Sequence, residues 1–370
     1  MIRDGKSGEI KALDFREKAP QAAHEKMYLD TAGIVIKNLS TVGGLAAGVP
    51  GTAAGLHELW KEYGSMAWSD LVSYSVALAD TGFILDEYQS NHFKEYRDKL
   101  KVFEETSNLF FPGGKILEPG ERLTLPDLAR TLKQISQHGP AAFYSGEIAD
   151  SIVATMASHD GIITPEDLEN YSTVWREPIN FEFDSFQIFS MPPPSSGGIV
   201  MGQILKILGK YDFSNYNAQS TEYIHLFSES ARLAFADRSE HLGDPDFYQI
   251  PSFLLNEEYL AGRSNLIDLN HANISQDIKP GTFPMPESKQ TTHFSVADKN
   301  GNLVSLTYTL NSSYGSKLAV RGCGFLLNNE MDDFAIAPGH ANLYGLIGGE
   351  ANKIEPGKRM LSSMSPTIVL

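Results

Sequence analysis

The sequence predicts a layered α/β or α+β fold, and two features of its patterning carry that expectation. Helical periodicity dominates residues 52–240, whereas strand-like alternation dominates 291–330. Within the later segment stands Asn300-Gly301 between alternating runs, the strongest short-range signal for a β-hairpin. At 370 residues the chain has the length of two domains, though large layered folds of this size form single units.

Taken in order, Met1-Ile2-Arg3 runs into an Asp4-Gly5 turn, and Glu9 to Arg16 reads as a strand that delivers Arg16 to its end. Gly43 to Gly51 is a glycine-rich loop without a phosphate-cradling lysine, so a close-packed turn is expected rather than a phosphate site. Helices are expected from Thr52 to Gly64, from a Ser69 cap to Ala79, and from about Asp86 to Phe103. Others are expected over about 125–138 and 146–157, with a short one opened by Thr164-Pro165-Glu166-Asp167. Phe181 to Phe189 alternates around a turn at Asp184-Ser185 and leads into Pro192–Gly198, either a short rigid linker or a wall beside a ligand pocket, and then a helix to about Leu208. A long helix capped by Ser220 or Thr221 runs to about Leu242, with Ile224, Phe227, Leu233 and Phe235 as its apolar positions. Residues 256–286 are polar and weakly patterned, and read as an exposed linker.

Composition narrows the function classes. A net charge of −16 with no Lys/Arg run offers no phosphate footprint, which argues against nucleic acid. One cysteine, Cys323, excludes an internal disulfide framework and a multi-cysteine metal site. Ten histidines lie scattered without ligand spacing, no H-E-x-x-H or G-x-S-x-G motif occurs, and no metal or cofactor is expected. No run of 18 apolar residues spans a membrane and no signal peptide opens the chain. Ser365–Leu370 reads as a strand cut off in mid-course, so both ends are expected to be the edges of a fragment.

The hairpin offers two registers. A two-residue loop sets Phe294 opposite Thr307, which mixes apolar and polar faces. A three-residue loop with Gly301 in the left-handed conformation sets Phe294 opposite Leu306, Val296 opposite Val304 and Ser295 opposite Ser305. The second is favoured, and it places Thr291 opposite Thr309 on a polar face. By pattern alone such a face is merely wet.

A set of motifs changes that reading. Thr291-Thr292-His293-Phe294-Ser295-Val296, Thr309-Leu310-Asn311, Leu327 to Phe334 and Leu361 to Pro366 resemble the γ-glutamyltransferase family in order and spacing. So do Asp14-Phe15-Arg16-Glu17, Val49-Pro50-Gly51-Thr52, Pro193 to Gly198 and Leu233 to Arg238, which extends the resemblance along the whole chain. The resemblance implies a four-layer αββα N-terminal-nucleophile hydrolase fold, here incomplete at both termini. It further implies self-cleavage at Gln290–Thr291, giving a helix-rich piece 1–290, with a linker over about 256–290, and a piece 291–370, associated as one unit.

The chemistry implied is coherent. A new α-amine on Thr291, with a pKa of about 8, serves as general base for its own hydroxyl. By resemblance, Thr309 orients that hydroxyl, Arg16 with Ser362 and Ser363 holds an α-carboxylate, and Asn311, Glu330 and Asp333 surround an α-ammonium. Residues 338–353 resemble a lid loop, in which Tyr344 shields an acyl-enzyme from water. The substrates implied are glutathione and related γ-glutamyl amides, with water, amino acids or peptides as acceptors, in a periplasmic or extracellular setting. The alternatives are a cephalosporin/glutaryl acylase, whose substrate lacks the α-amine, and a non-catalytic relative. In the family a glycine pair beyond the position of Leu370 donates to the oxyanion, and losing one such donor lowers rates by about 10²–10³-fold. The chain alone is therefore expected to be poorly active.

Overall fold

Strand β1 (Ile2–Arg3) is the seam of the larger sheet, because it pairs antiparallel with β2 (Ile10–Asp14) on one side and β9 (Leu303–Tyr308) on the other. With β5 (Val174–Arg176) outside β2 and β8 (Thr292–Ala297) outside β9, the sheet runs β5-β2-β1-β9-β8. The computed structural model describes residues 1–213, 216–217, 219–275, 278 and 291–370. The expected hairpin is present in the three-residue register: Phe294 faces Leu306, Ser295 faces Ser305 and Val296 faces Val304. Gly301 takes φ +83°, the left-handed conformation the loop requires and glycine adopts without strain.

A second sheet, β10-β7-β6, is built from β6 (Ile179–Phe183), β7 (Phe186–Ser190) and β10 (Thr367–Val369). The hairpin turn at Asp184-Ser185 is where the alternation placed it. Met1, Ala12 and Ile368 are buried together with Ile10, Phe189, Met191 and Leu303 packed around them, so apolar side chains of the two sheets meet. Each large aliphatic side chain fully buried here contributes roughly 1.5–3 kcal/mol. Thr367 N donates to Ser305 Oγ at 3.1 Å, tying the second sheet to the β8–β9 hairpin.

Helices cover the outer sides. Helix α1 (Thr52–Tyr63) lies on the end of β2, and Gly55 permits the approach: a Cβ there would stand 2.2 Å from Phe15 Cγ. Helix α2 (Trp68–Thr81) packs on α5 (Pro126–His138), with α3 (Glu87–Leu100), α4 (Glu104–Phe110) and the short α6 (Ala141–Tyr144) beside them. Helix α7 (Glu147–Ser158) supplies Ile148, Ile152 and Met156 to the largest core cluster, and α8 (Pro165–Glu169) carries the expected Thr164 capping box. On the far side α9 (Gly197–Leu208) packs on β6, and α10 (Thr221–His241), capped by the Ser220 hydroxyl, packs on α9. The order helices, sheet, sheet, helices agrees with the αββα expectation.

Several boundaries differ from the sequence reading. Helix α2 begins two residues earlier, behind Ala67, with no side-chain cap. The helix expected from Asp86 to Phe103 stops at the buried Leu100, and α4 restarts at Glu104. In α10 Leu233 is buried as expected, but Ile224 and Phe227 face outward at 54% and 45% exposure, while Glu229, Asp237 and Arg238 are buried. The expected exposed linker is folded in its first part: α11 (Glu257–Ser264) buries Leu260, and Arg263 pairs with Asp237 at 2.8 Å. The remainder of that segment, including the predicted cleavage residue Gln290, lies outside the described residues. Beyond Tyr308 the expected strands give way to turns and a 3-10 helix over Glu330–Asp333.

Candidate active site

Arg16 emerges from the end of β2 with its backbone already fixed. Its N–H donates to Asp14 Oδ1 at 3.0 Å, and its carbonyl accepts from Tyr171 Oη at 2.9 Å. The side chain turns inward, 7% exposed, and Nε donates to Met360 O at 3.3 Å. That leaves the fork for carboxylates: Nη1 lies 2.6 Å from Glu330 Oε2 and Nη2 lies 2.6 Å from Asp333 Oδ2. Glu17 Oε2 stands further off, 4.0 Å from Nη1.

The loop carrying those carboxylates is clamped to the glycine-rich turn. Asn328 Nδ2 donates to Gly48 O at 2.8 Å, while its Oδ1 accepts from Gly48 N at 2.9 Å and Glu330 N at 3.0 Å. The turn is thus a close-packed brace. One amide side chain registers the Gly48 loop against the Glu330 loop.

Three carboxylates share one adjacent guanidinium, so the cluster holds spare negative capacity. Glu330 is fully buried, with its Oε2 paired to Arg16. Burial pushes Glu330 well above the usual carboxylate range and raises Asp333, with Arg16 pulling both back. Burial likewise pushes Glu17 up to about 7 against the pull of Arg16. For Arg16 burial opposes the charge, but Glu330, Asp333 and Glu17 outweigh it and hold it protonated. A buried cluster of this kind favours a bound cation, which would restore the carboxylates to their ionised form.

Thr309 follows β9, half-buried, and its hydroxyl accepts from Asn311 N at 2.9 Å. Asn311 holds φ +73°, a conformation that non-glycine residues rarely adopt, and donates Nδ2 to Asn329 O at 2.9 Å. Its carbonyl accepts from the hydroxyl of Tyr344. Tyr344 sits in a small hairpin-like loop pinned to the same acidic segment: Asn342 Nδ2 donates to Asp333 Oδ1 at 3.1 Å, and Leu343 N to Asp332 Oδ2 at 2.7 Å.

Ser362 and Ser363 arrive from the far sheet. Ser362 N donates to Pro194 O at 2.8 Å, and Ser362 O accepts from Ser196 N at 2.9 Å and Ser196 Oγ at 2.8 Å. A cavity of about 790 Å³, counted to its open mouth, has Arg16, Glu17, Thr309, Pro194, Ser195 and Ser362 in its lining, whereas Asn311, Glu330, Asp333, Tyr344 and Ser363 are not in it. The proline-serine stretch is thus a pocket wall, as its sequence suggested. Thr291, at the exposed start of the hairpin, is not in that lining; the register continued one step beyond Thr292–Tyr308 sets it beside Thr309.

The sequence reading missed Glu17 and Arg238 as charged groups of this region. Arg238 is 3% exposed and reaches Ser196 and Ser363 rather than a carboxylate. Both residues lie in motifs already singled out, but nothing in a linear sequence tells a buried charge from a surface one.

A model of the gamma-glutamyltranspeptidase family matches residues 1–370, the whole chain. The chain belongs to this family. A glutathione hydrolase proenzyme of Pseudomonas sp. (strain A14) is 46% identical over 359 residues, covering 96% of this chain and 62% of the relative. The glutathione hydrolase proenzyme of Escherichia coli K12 is 43% identical, covering 100% of this chain and 64% of that protein. The crystal structure of Helicobacter pylori gamma-glutamyltranspeptidase superposes with a TM-score of 0.73 at 38% identity, over 76% of this chain and 82% of that one. The chain thus spans under two thirds of the length of these curated relatives. Among the described residues no helix is long and apolar enough to cross a membrane.

Proposed function

We propose that this gamma-glutamyltranspeptidase-family chain carries the nucleophile and the glutamyl-recognition groups of a γ-glutamyl hydrolase/transferase acting on glutathione or related amides. The observation that carries the reading is the buried Arg16–Glu330–Asp333 cluster, one cation flanked at 2.6 Å by two carboxylates. An amino acid's α-carboxylate and α-ammonium are the two charges such a cluster recognises at once.

In this reading the Thr291 hydroxyl first attacks the Gln290 carbonyl, and hydrolysis of the resulting ester divides the chain into 1–290 and 291–370, which stay together. The freed α-amine then accepts the hydroxyl proton as Thr291 Oγ1 adds to the γ-carbonyl of the substrate. Collapse expels the amine, which takes that proton, and leaves a γ-glutamyl ester on Thr291. Water, or an amino acid or peptide amine, resolves the ester by the reverse proton path. Thr309 orients the nucleophile, Arg16, Ser362 and Ser363 hold the α-carboxylate, and Asn311, Glu330 and Asp333 hold the ammonium. Tyr344, tied to Asn311, closes the pocket against water. The setting is periplasmic or extracellular.

A glutaryl acylase is the competing assignment, and the retained ammonium-binding acids speak against it. Turnover of γ-glutamyl-p-nitroanilide and its glutaryl counterpart by the full-length protein decides. A preference for the glutaryl compound, or turnover and cleavage that survive Thr291→Ala, overturns the proposal.

A further inference from the structure

Arg238 is a fully buried guanidinium with no carboxylate partner. It leaves α10 at 3% exposure, and among the described residues no carboxylate oxygen lies within ion-pair distance of it. Its contacts are two hydroxyls: Nε donates to Ser196 Oγ at 3.0 Å and Nη2 donates to Ser363 Oγ at 3.3 Å. Burying such a charge costs several kcal/mol unless something compensates it. Packing alone does not explain the residue, because a methionine stem fills space without that cost.

The two serines show what the charge faces. Ser196 Oγ passes its proton to Ser362 O at 2.8 Å, so its lone pair is what Arg238 uses. Ser363 Oγ accepts from Arg238, which turns its own O–H away toward the open side, where Ser363 is exposed. Ser362 Oγ likewise accepts, from Met364 N at 2.9 Å. Among the described residues neither hydroxyl has an acceptor for its proton. Two hydroxyl donors, backed by a guanidinium that makes no ion pair of its own, have the chemistry that holds an anion.

Its neighbours set the orientation. Asp333 acts favourably on Arg238 and Arg16 acts unfavourably, so both guanidinia flank one acidic residue. Burial lowers Arg238 to about 10, still protonated at neutral pH.

We propose that Arg238 is a positioning residue for the carboxylate end of the site: it fixes Ser363 as an outward donor and supplies the second positive charge that an α-carboxylate bound at Arg16 and Ser362–Ser363 experiences. The inference rests on the γ-glutamyl reading and adds to it the residue that makes the serine pair selective for an anion.

The test compares two ligands differing only by that carboxylate, L-glutamate and 4-aminobutanoate, by titration calorimetry on the full-length protein and its variants. In the wild type glutamate binds more tightly. Arg238→Met is expected to shrink the glutamate-to-aminobutanoate affinity ratio roughly tenfold or more, the worth of a lost charge-assisted contact. Arg238→Lys, which keeps the charge but not the fork, falls between. The ratio is internal to each variant, so a smaller folded fraction does not alter it. Ser363→Ala is expected to lower the ratio in the wild type and to add little on Arg238→Met. If Arg238→Met weakens both ligands equally, or neither, the residue is only structural and the inference fails. If the wild type does not prefer glutamate, the γ-glutamyl reading itself fails, and the inference with it.

Discussion

Arg16 and Asp333 are separated by 317 positions in the chain, yet their side chains meet at 2.6 Å, joining the end of β2 to the acidic segment that follows the hairpin. With Glu330 also 2.6 Å from the same guanidinium, the residues proposed to recognise substrate are ion-paired to one another. Removing one partner of a buried ion pair costs about 3–5 kcal/mol, because the other charge is left uncompensated.

Arg16→Met is therefore expected to lower unfolding free energy by about that amount, and Arg16→Met/Glu330→Gln to recover part of it. Chemical denaturation of both variants checks this. A double variant no more stable than the single one would show that the pair does not hold the site together.

Thr309→Val tests a different link. The hydroxyl accepts from Asn311 N, whose residue sits at φ +73°, so losing it leaves an amide donor unsatisfied and frees a strained turn. The proposed mechanism gives the same hydroxyl the task of orienting Thr291. The expected result is a fall in kcat of about 10²-fold or more with a modest change in KM, and partial rescue by Thr309→Ser. A pure KM effect would assign Thr309 to binding alone.

The hairpin register was legible because a one-residue slip would have put Phe294 and Val296 opposite polar partners, and Asn300-Gly301 named the turn. Helix starts with a chemical signal, such as Thr164-Pro165 and Ser220, were equally readable. Helix α10 was not. Its apolar residues Ile224 and Phe227 face out, while Asp237 and Arg238 are buried beside partners from distant segments, Arg263, Tyr259, Ser196 and Ser363. Periodicity ranks residues by side-chain polarity, so a helix that buries satisfied polar groups inverts the signal it relies on. The site shows the same split. Motifs named its members, but only the fold shows that Glu330 is fully buried against Arg16 and that Arg238 reaches two serine hydroxyls.

Tyr344 bears on what leaves the site rather than what enters it. Its hydroxyl donates to Asn311 O, tying the tip of the 338–353 loop to the turn after Thr309. Tyr344→Phe removes that bond and keeps the ring. With water entry easier, the ratio of hydrolysis to transfer to an amine acceptor is expected to rise about 3- to 10-fold, the range of one neutral hydrogen bond. Product ratios at fixed acceptor concentration measure it, and an unchanged ratio would leave the loop no part in excluding water.

Asp332 sets a pH dependence whose direction follows from its surroundings. Its Oδ1 accepts from Ser40 Oγ at 2.6 Å and its Oδ2 from Leu343 N at 2.7 Å, but burial dominates and pushes it up from 3.8 to about 6, with Asp333 adding to the rise and His340 opposing it. A carboxyl raised on folding binds its proton more tightly in the native state, so the native state is favoured while that proton stays on. Its contribution is fully present below pH 3.8 and is lost as pH rises through 6, by about 3 kcal/mol in all. Glu17, pushed up to about 7, extends the same trend toward neutrality. Asp332→Asn is neutral throughout and is expected to flatten the part of the stability–pH curve between pH 4 and 6, leaving the part between 6 and 7 in place. Denaturant midpoints at half-unit pH steps measure the slope. A wild type that gains stability from pH 4 to 6, or a variant with an unaltered slope, would remove Asp332 as its source.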